Sequence, residues 1–140
     1  MRDGYHQIPM KPSDKVKTSF TCRYGTFQFT VMPFGLSSAP STFQRMMNSI
    51  FFKLLDNGVL CYLDDLLVYS RTVDEHLVML DKVFGLLAKH KLYLKEKKCH
   101  LFLSKVNFLG HVVSADGVAM ESGKVEVVQK WPTPTTVTHV

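Results

Sequence analysis

Val59-Leu60-Cys61-Tyr62-Leu63-Asp64-Asp65-Leu66-Leu67-Val68-Tyr69 decides how the rest of the chain is read. Two apolar runs, rich in residues that favour strands, close on adjacent carboxylates. The stretch therefore predicts two short strands with the acids at the turn of a hairpin. The usual turn pairs, Asn-Gly and Asp-Gly, are absent. Two like charges side by side between apolar strands repel each other, and partial burial sharpens the conflict. A divalent cation removes it. Magnesium takes carboxylate oxygens, one or two groups per site, with water and phosphate completing the shell. Such an ion polarises a phosphoryl oxygen and activates an attacking one. Asp64 and Asp65 are thus candidate metal ligands and candidate catalytic residues for phosphoryl transfer. Taken alone, the pair also reads as a solvated acidic turn.

Upstream, Phe43, Met46, Met47, Ile50, Phe51, Leu54 and Leu55 recur at spacings of three and four. That is an amphipathic helix from about residue 41, capped by Ser38 or Ser41, with Pro40 in its first turn and Asn57-Gly58 as its end. Its Met and Phe stripe is simplest as core. Before it lies a loop, residues 33–40, with two prolines and a glycine. Residues 17–22 and 27–32 read as strands around Tyr24-Gly25, and residues 12–15 as a turn or a single helical turn.

Downstream, Thr72 and Glu75 have capping-box spacing. Leu77, Leu80, Val83, Phe84, Leu87 and Ala88 keep a helical period to about Lys89, with His76 and His90 on solvated faces. Residues 91–105 are basic: Lys91, Lys95, Lys97, Lys98, His100 and Lys105 interleave with Leu92, Tyr93, Leu94, Leu101, Phe102 and Leu103. Such a strip can track phosphates while its apolar members pack inward, or be a plain solvated face. Residues 106–113 read as one strand, turned by Ala115-Asp116-Gly117 into a second at 118–120. Residues 121–131 suggest a short helix with Val125, Val128 and Trp131 on one side. Pro132-Thr133-Pro134 would stop it, and residues 135–140 could start another element.

The 140 residues are enough for one domain or a piece of one, and 46% hydrophobic with 21% charged content is globular composition. A formal charge of +5 suits a polyanionic partner without requiring one. Cys22, Cys61 and Cys99 are odd in number and far apart, which favours reduced thiols. Cys99-His100 has no second pair at zinc-ligand spacing. With no leader and no uncharged apolar run of ~18 residues, an intracellular protein, cytoplasmic or nuclear and without membrane contact, is expected. The opening Asp3-Gly4-Tyr5-His6-Gln7-Ile8 looks like the middle of an element.

The order is strand pair, helix, acid hairpin, helix, hairpin. This predicts an α+β fold, an antiparallel sheet with two helices on one face. Metal-binding acids at a hairpin tip on such a sheet are what a polymerase palm needs. Two ions about 4 Å apart would hold the attacking and leaving oxygens of an in-line displacement. A hairpin's adjacent carboxylates cannot surround two ions unaided, so another acid is required. Asp3, Asp14 and Asp56 are the candidates, and the sequence does not choose among them.

The chain resembles the palm of the reverse transcriptases of gypsy-type LTR retrotransposons. The matching stretches include Asp3-Gly4-Tyr5-His6-Gln7-Ile8, Lys17-Thr18-Ser19-Phe20, Tyr24-Gly25, the run from Val31 to Gln44 around Pro33-Phe34-Gly35, Tyr62-Leu63-Asp64-Asp65 to Ser70, Lys98-Cys99, Phe108-Leu109-Gly110-His111-Val112 and Trp131-Pro132-Thr133-Pro134. They stand in the family's order and cover nearly the whole chain.

The resemblance implies a palm fragment over residues 1–140, truncated at both ends, with a thumb-proximal hairpin at about 105–120. Fingers, connection and ribonuclease H would belong to the remainder of a polyprotein. It implies RNA-directed DNA polymerase activity with two magnesium ions, deoxynucleoside triphosphates, and an RNA or DNA template with a DNA primer. Asp64 and Asp65 would be two of three metal-binding acids. The third would immediately precede Met1, so Asp3 is its neighbour and not its equivalent, and the isolated chain is expected to be weak or inactive. Tyr5, Phe34 and Gly35 match nucleotide-binding positions, with Tyr5 under the sugar. Leu109, Gly110 and His111 match the hairpin that holds the primer end. The alternatives are a catalytically dead element remnant or a nucleic-acid-binding module that keeps the fold. A nucleotide cyclase would carry Gly-Gly where Tyr62-Leu63 stands.

Overall fold

A computed structural model describes residues 1–131. The chain divides into two compact units, Met1–Cys99 and a second from His100 onward. The expected stop at Pro132-Thr133-Pro134 and the element after it lie outside the described residues.

The first unit is built on two helices and the acid hairpin. Helix α1 spans Ala39–Phe51. Ala39, Phe43, Met47 and Phe51 recur every four residues along it, and all four are buried. Burying each of the larger three contributes about 1.5–3 kcal/mol. Pro40 sits in the first turn as expected. Neither serine caps by side chain: Ser38 is αR, and Ser41 lies inside the helix with its hydroxyl donating back to the Ser38 carbonyl at 3.1 Å. The helix stops short of Asn57-Gly58. Leu54 and Leu55 still donate to the Phe51 carbonyl, after which Asp56 turns left-handed (φ 58°) and sends the chain into the next strand.

Strands β3 (Val59–Tyr62) and β4 (Asp65–Val68) pair antiparallel, Val59 opposite Val68 and Tyr62 opposite Asp65. Helix α2 (Val73–Lys89) follows. Thr72 caps it, its hydroxyl accepting from Glu75 N at 3.2 Å, and the Glu75 carboxylate reaches back to Arg71 N, one residue further than the usual box. Val83 and Leu87 join the core with Val59, Met32, Leu92 and the α1 stripe, and Leu80 on the same helix is also buried. At 100° per residue the buried face of α2 is centred near Val83, with half-buried Met79 and Leu86 on one flank. This corrects two sequence expectations. His76 is half-buried and bonded to the Ser70 hydroxyl at 3.0 Å, while Leu77 and Phe84 fall on the outer flank, 51% and 41% exposed.

Residues 12–18 form a 3-10 helix, so the strand expected from Lys17 starts only at Phe20. Pro12 presets its first turn, and the Lys17–Asp14 ion pair at 2.6 Å spans it. Strands β1 (Phe20–Cys22) and β2 (Gly25–Phe27) are correspondingly short. The strand expected to run on to Met32 leaves only an isolated bridge, Pro9 to Val31.

In the second unit, the single strand expected over 106–113 is broken at Leu109-Gly110, both with positive φ (52° and 75°). That is the backbone of a tight hairpin turn. It gives β5 (Lys105–Phe108), β6 (His111–Ser114) and β7 (Gly117–Met120), a three-stranded meander closed by the expected Ala115-Asp116-Gly117 corner. Helix α3 covers Ser122–Gln129. Of the two readings open for Leu101, Phe102 and Leu103, inward packing is not the one found. They are exposed, as are Val125, Val128 and Trp131.

The architecture is α+β with antiparallel strands throughout, as the pattern predicts. Among the described residues the strands form three separate sheets of two, two and three, because each pairs with a neighbour in sequence.

Candidate active site

The acid hairpin turns on Leu63 and Asp64. Leu63 adopts φ 51°, a left-handed conformation that costs a branched residue about 1–2 kcal/mol. Gln44, on α1, offsets that cost. Its carboxamide accepts from Leu63 N at 2.6 Å and donates to the Cys61 carbonyl at 3.1 Å, and is itself joined to Asn48 at 2.7 Å. One side chain thus straddles the turn and ties it to a helix whose adjacent residue, Phe43, is wholly buried.

Both acids are exposed at this tip, Asp64 in the turn and Asp65 at the first position of β4. Neither carboxylate has a hydrogen bond or ion pair among the described residues. The half-buried Cys61 thiol below them is pushed up to about 11, first by burial and further by the Asp65 charge, against a lowering hydrogen bond from Gln44.

The N-terminal segment meets this tip. Met1 N donates to the Asp64 carbonyl at 3.1 Å. Gly4 is buried so tightly that a Cβ there would lie 3.2 Å from Phe43 Cζ and 3.4 Å from Asp64 Cβ. The next residue, Tyr5, is half-buried with its ring between Phe34 (centroids 5.1 Å) and Phe43 (5.4 Å). Phe34 is 66% exposed, and Gly35 beside it turns at φ 92° in open space. The structure therefore brings Tyr5 against Phe34, and the residue before Tyr5 against Asp64. Leu109 and Gly110 form the β5–β6 turn and His111 opens β6, all within the second unit.

Of the three acids considered as a further ligand, Asp14 is held by Lys17, whose hydrogen bond and charge lower its pKa. Asp56 precedes β3, at the hairpin end opposite the acid tip. Asp3 alone belongs to the segment that touches Asp64. Among the described residues no three such side chains gather as a metal cluster. The donor set present, two unpaired adjacent carboxylates open to solvent, fits part of a magnesium shell whose other positions go to water and phosphate.

Two positioning residues escaped the sequence reading. Gln44 carries a faint signal, a carboxamide pair with Asn48 at i, i+4 beside the apolar stripe. Gln7 carries none: its amide brackets the Tyr93 backbone, accepting from N at 2.7 Å and donating to O at 3.1 Å, and so pins the segment that bears Tyr5.

A family model described as reverse transcriptase (RNA-dependent DNA polymerase) matches residues 1–113. The chain belongs to the reverse transcriptase family. It is 42% identical over 132 residues to the retrovirus-related Pol polyprotein from transposon 297 of Drosophila melanogaster, covering 94% of this chain and 12% of that protein. It is 32% identical over 134 residues to the Tf2-3 polyprotein of Schizosaccharomyces pombe, covering 96% and 10%. The transposon 297 relative bears out the gypsy-type resemblance. The chain spans about a tenth of the length of these two relatives. Among solved structures, the foamy viral protease-reverse transcriptase in complex with double-stranded DNA superposes with a TM-score of 0.86 at 26% identity, over 98% of this chain and 24% of that one. The same enzyme with an RNA/DNA hybrid gives 0.81, over 98% and 18%. The fold is that of a reverse transcriptase palm.

Proposed function

We propose that this reverse transcriptase fragment is the catalytic palm of an RNA-directed DNA polymerase. In that reaction a primer 3′-oxygen attacks the α-phosphorus of a deoxynucleoside triphosphate, forming a phosphodiester and releasing pyrophosphate. Template RNA or DNA directs the choice of nucleotide. Asp64 and Asp65 are the carboxylates that hold magnesium, which supplies charge neutralisation at the phosphates. Tyr5, fixed between Phe34 and Phe43, is the floor under the incoming sugar, and its bulk opposes a ribose 2′-hydroxyl. Phe34 offers an open ring face, and Gly35 leaves room for the nucleotide. Leu109, Gly110 and His111 contact the primer end. Catalysis of this kind is positioning and charge neutralisation, the two things a rigid acid tip provides.

One observation carries the reading: two unpaired carboxylates share a neighbourhood with the Tyr5–Phe34 pair. Calorimetric titration of magnesium into this chain and into the Asp64→Asn/Asp65→Asn double variant tests it. Loss of binding in the variant is expected, together with loss of primer extension when the pair is changed in the whole polyprotein. Unaltered magnesium affinity would refute the assignment.

A further inference from the structure

The basic stretch after α2 makes no bond to the acid tip, yet it is held beside it. Leu92 is 7% exposed and Leu94 is packed against the core, which turns Lys91, Tyr93 and Lys95 outward. Lys97 and Lys98 continue the exposed series, interrupted by the single acid Glu96. The Tyr93 ring is 64% exposed. Its backbone is fixed on both sides, by Gln7 as described and by Arg2 N donating to its carbonyl at 3.0 Å. Arg2 follows Met1, which bonds the Asp64 carbonyl, so a single residue step separates this ridge from the acid hairpin.

An aromatic ring flanked by cations, presented on immobilised backbone, is the arrangement on which a base stacks while its phosphates are neutralised. We propose that Lys91, Tyr93 and Lys95 form a binding ridge for single-stranded nucleic acid, one base stacking on Tyr93 and the adjacent phosphates lying on the two ammonium groups. This rests on the polymerase reading and adds a binding site to it. Two features favour a strand over a lone nucleotide. Lys91 closes α2 with a left-handed backbone (φ 55°) and Lys95 precedes the 3-10 turn Glu96–Lys98, so one exposed cation stands before the ring along the chain and one after it. Lys97 and Lys98 then prolong the charge beyond the reach of one phosphate tail. A duplex is disfavoured, because its bases stack on each other and offer no free face.

The test is fluorescence anisotropy of a labelled oligothymidylate of about 12 nucleotides with the full chain, in chelator and without metal. Failure of the metal site therefore leaves the measurement untouched, and failure of the ridge leaves magnesium titration untouched. Tyr93→Ala should weaken binding about tenfold without changing the salt dependence, and Tyr93→Phe should restore it. Lys91→Gln/Lys95→Gln should reduce the slope of log affinity against log salt by about 1.4, or about 0.7 for each phosphate no longer neutralised. Circular dichroism checks that each variant stays folded. Unchanged affinity in Tyr93→Ala, or an unchanged slope in the lysine variant, overturns the proposal. So does equal dependence of duplex binding on Tyr93. If ATP binding depends on Tyr93 and oligothymidylate binding does not, the ridge serves a nucleotide and the strand assignment is wrong.

Discussion

Replacing Gln44 by methionine, close in volume and without the carboxamide, should disorder the acid turn while sparing the helix that carries it. Two bonds to the turn vanish, Leu63 N to Gln44 Oε1 and Gln44 Nε2 to the Cys61 carbonyl. At roughly 1 kcal/mol net for each, the loss is about 2 kcal/mol. The ties that remain, Met1 N to the Asp64 carbonyl at 3.1 Å and the Cys61 thiol to the Leu63 carbonyl at 3.6 Å, leave the Leu63 amide unbonded, so the turn is expected to relax toward other conformers. For a unit of this size a 2 kcal/mol loss lowers Tm by roughly 8–16 °C. The specific readout is hydrogen exchange at the Leu63 amide, whose protection depends on Gln44. Methionine should bring that amide to near the unprotected rate while amides inside α1 and α2 keep theirs. In the polymerase proposed above, a shift of about 1 Å in Asp64 and Asp65 would cost on the order of 100-fold in turnover, with the nucleotide KM less affected. Retained Leu63 protection together with an unchanged Tm would refute the clamp.

Gly4→Ala should destabilise the first unit by about 1–3 kcal/mol in chemical denaturation, because the new methyl meets buried Phe43 and the Asp64 Cβ; an unchanged midpoint would mean the N-terminal segment does not dock there. Thr72→Ala should cost about 1 kcal/mol by removing the α2 cap, and Thr72→Ser should recover most of it. An alkylating reagent at about pH 8 should label exposed Cys22 and spare Cys61, read by mass spectrometry of peptides. The raised Cys61 value also sets a pH dependence. Its folded pKa of about 11 exceeds the ordinary 9.0, so this contribution to stability is complete below pH 9.0 and is lost as pH rises toward 11. Cys61→Ala should flatten stability over that window.

The acid hairpin was legible because two apolar runs and a pair of like charges admit few arrangements, although the two-residue turn falls on Leu63-Asp64 and Asp65 already opens β4. The helices were legible from their apolar period, but not which flank each turns to solvent. The α2 pattern is wide enough to allow several rotations, and packing against α1 and β4 selects the one that half-buries His76. Leu109-Gly110 looked like strand interior because its neighbours alternate. The turn lives in two positive φ values that a leucine does not advertise. Tyr5 and Phe34 were grouped as nucleotide-binding positions from the family resemblance alone, and nothing in the sequence signalled that their rings touch. Gln44 and Gln7 stayed hidden because a glutamine that binds backbone looks the same in sequence as one that binds water.

The Gln7–Tyr93 bracket joins positions 86 residues apart. Closing so large a loop is entropically slow, whereas Gln44 meets its turn across 17 and 19 residues. During folding, the helices and the acid hairpin can therefore assemble early, with Tyr5 arriving last. Until the bracket shuts, the two carboxylates are in place but the Tyr5 ring has not yet joined Phe34 and Phe43 beside them.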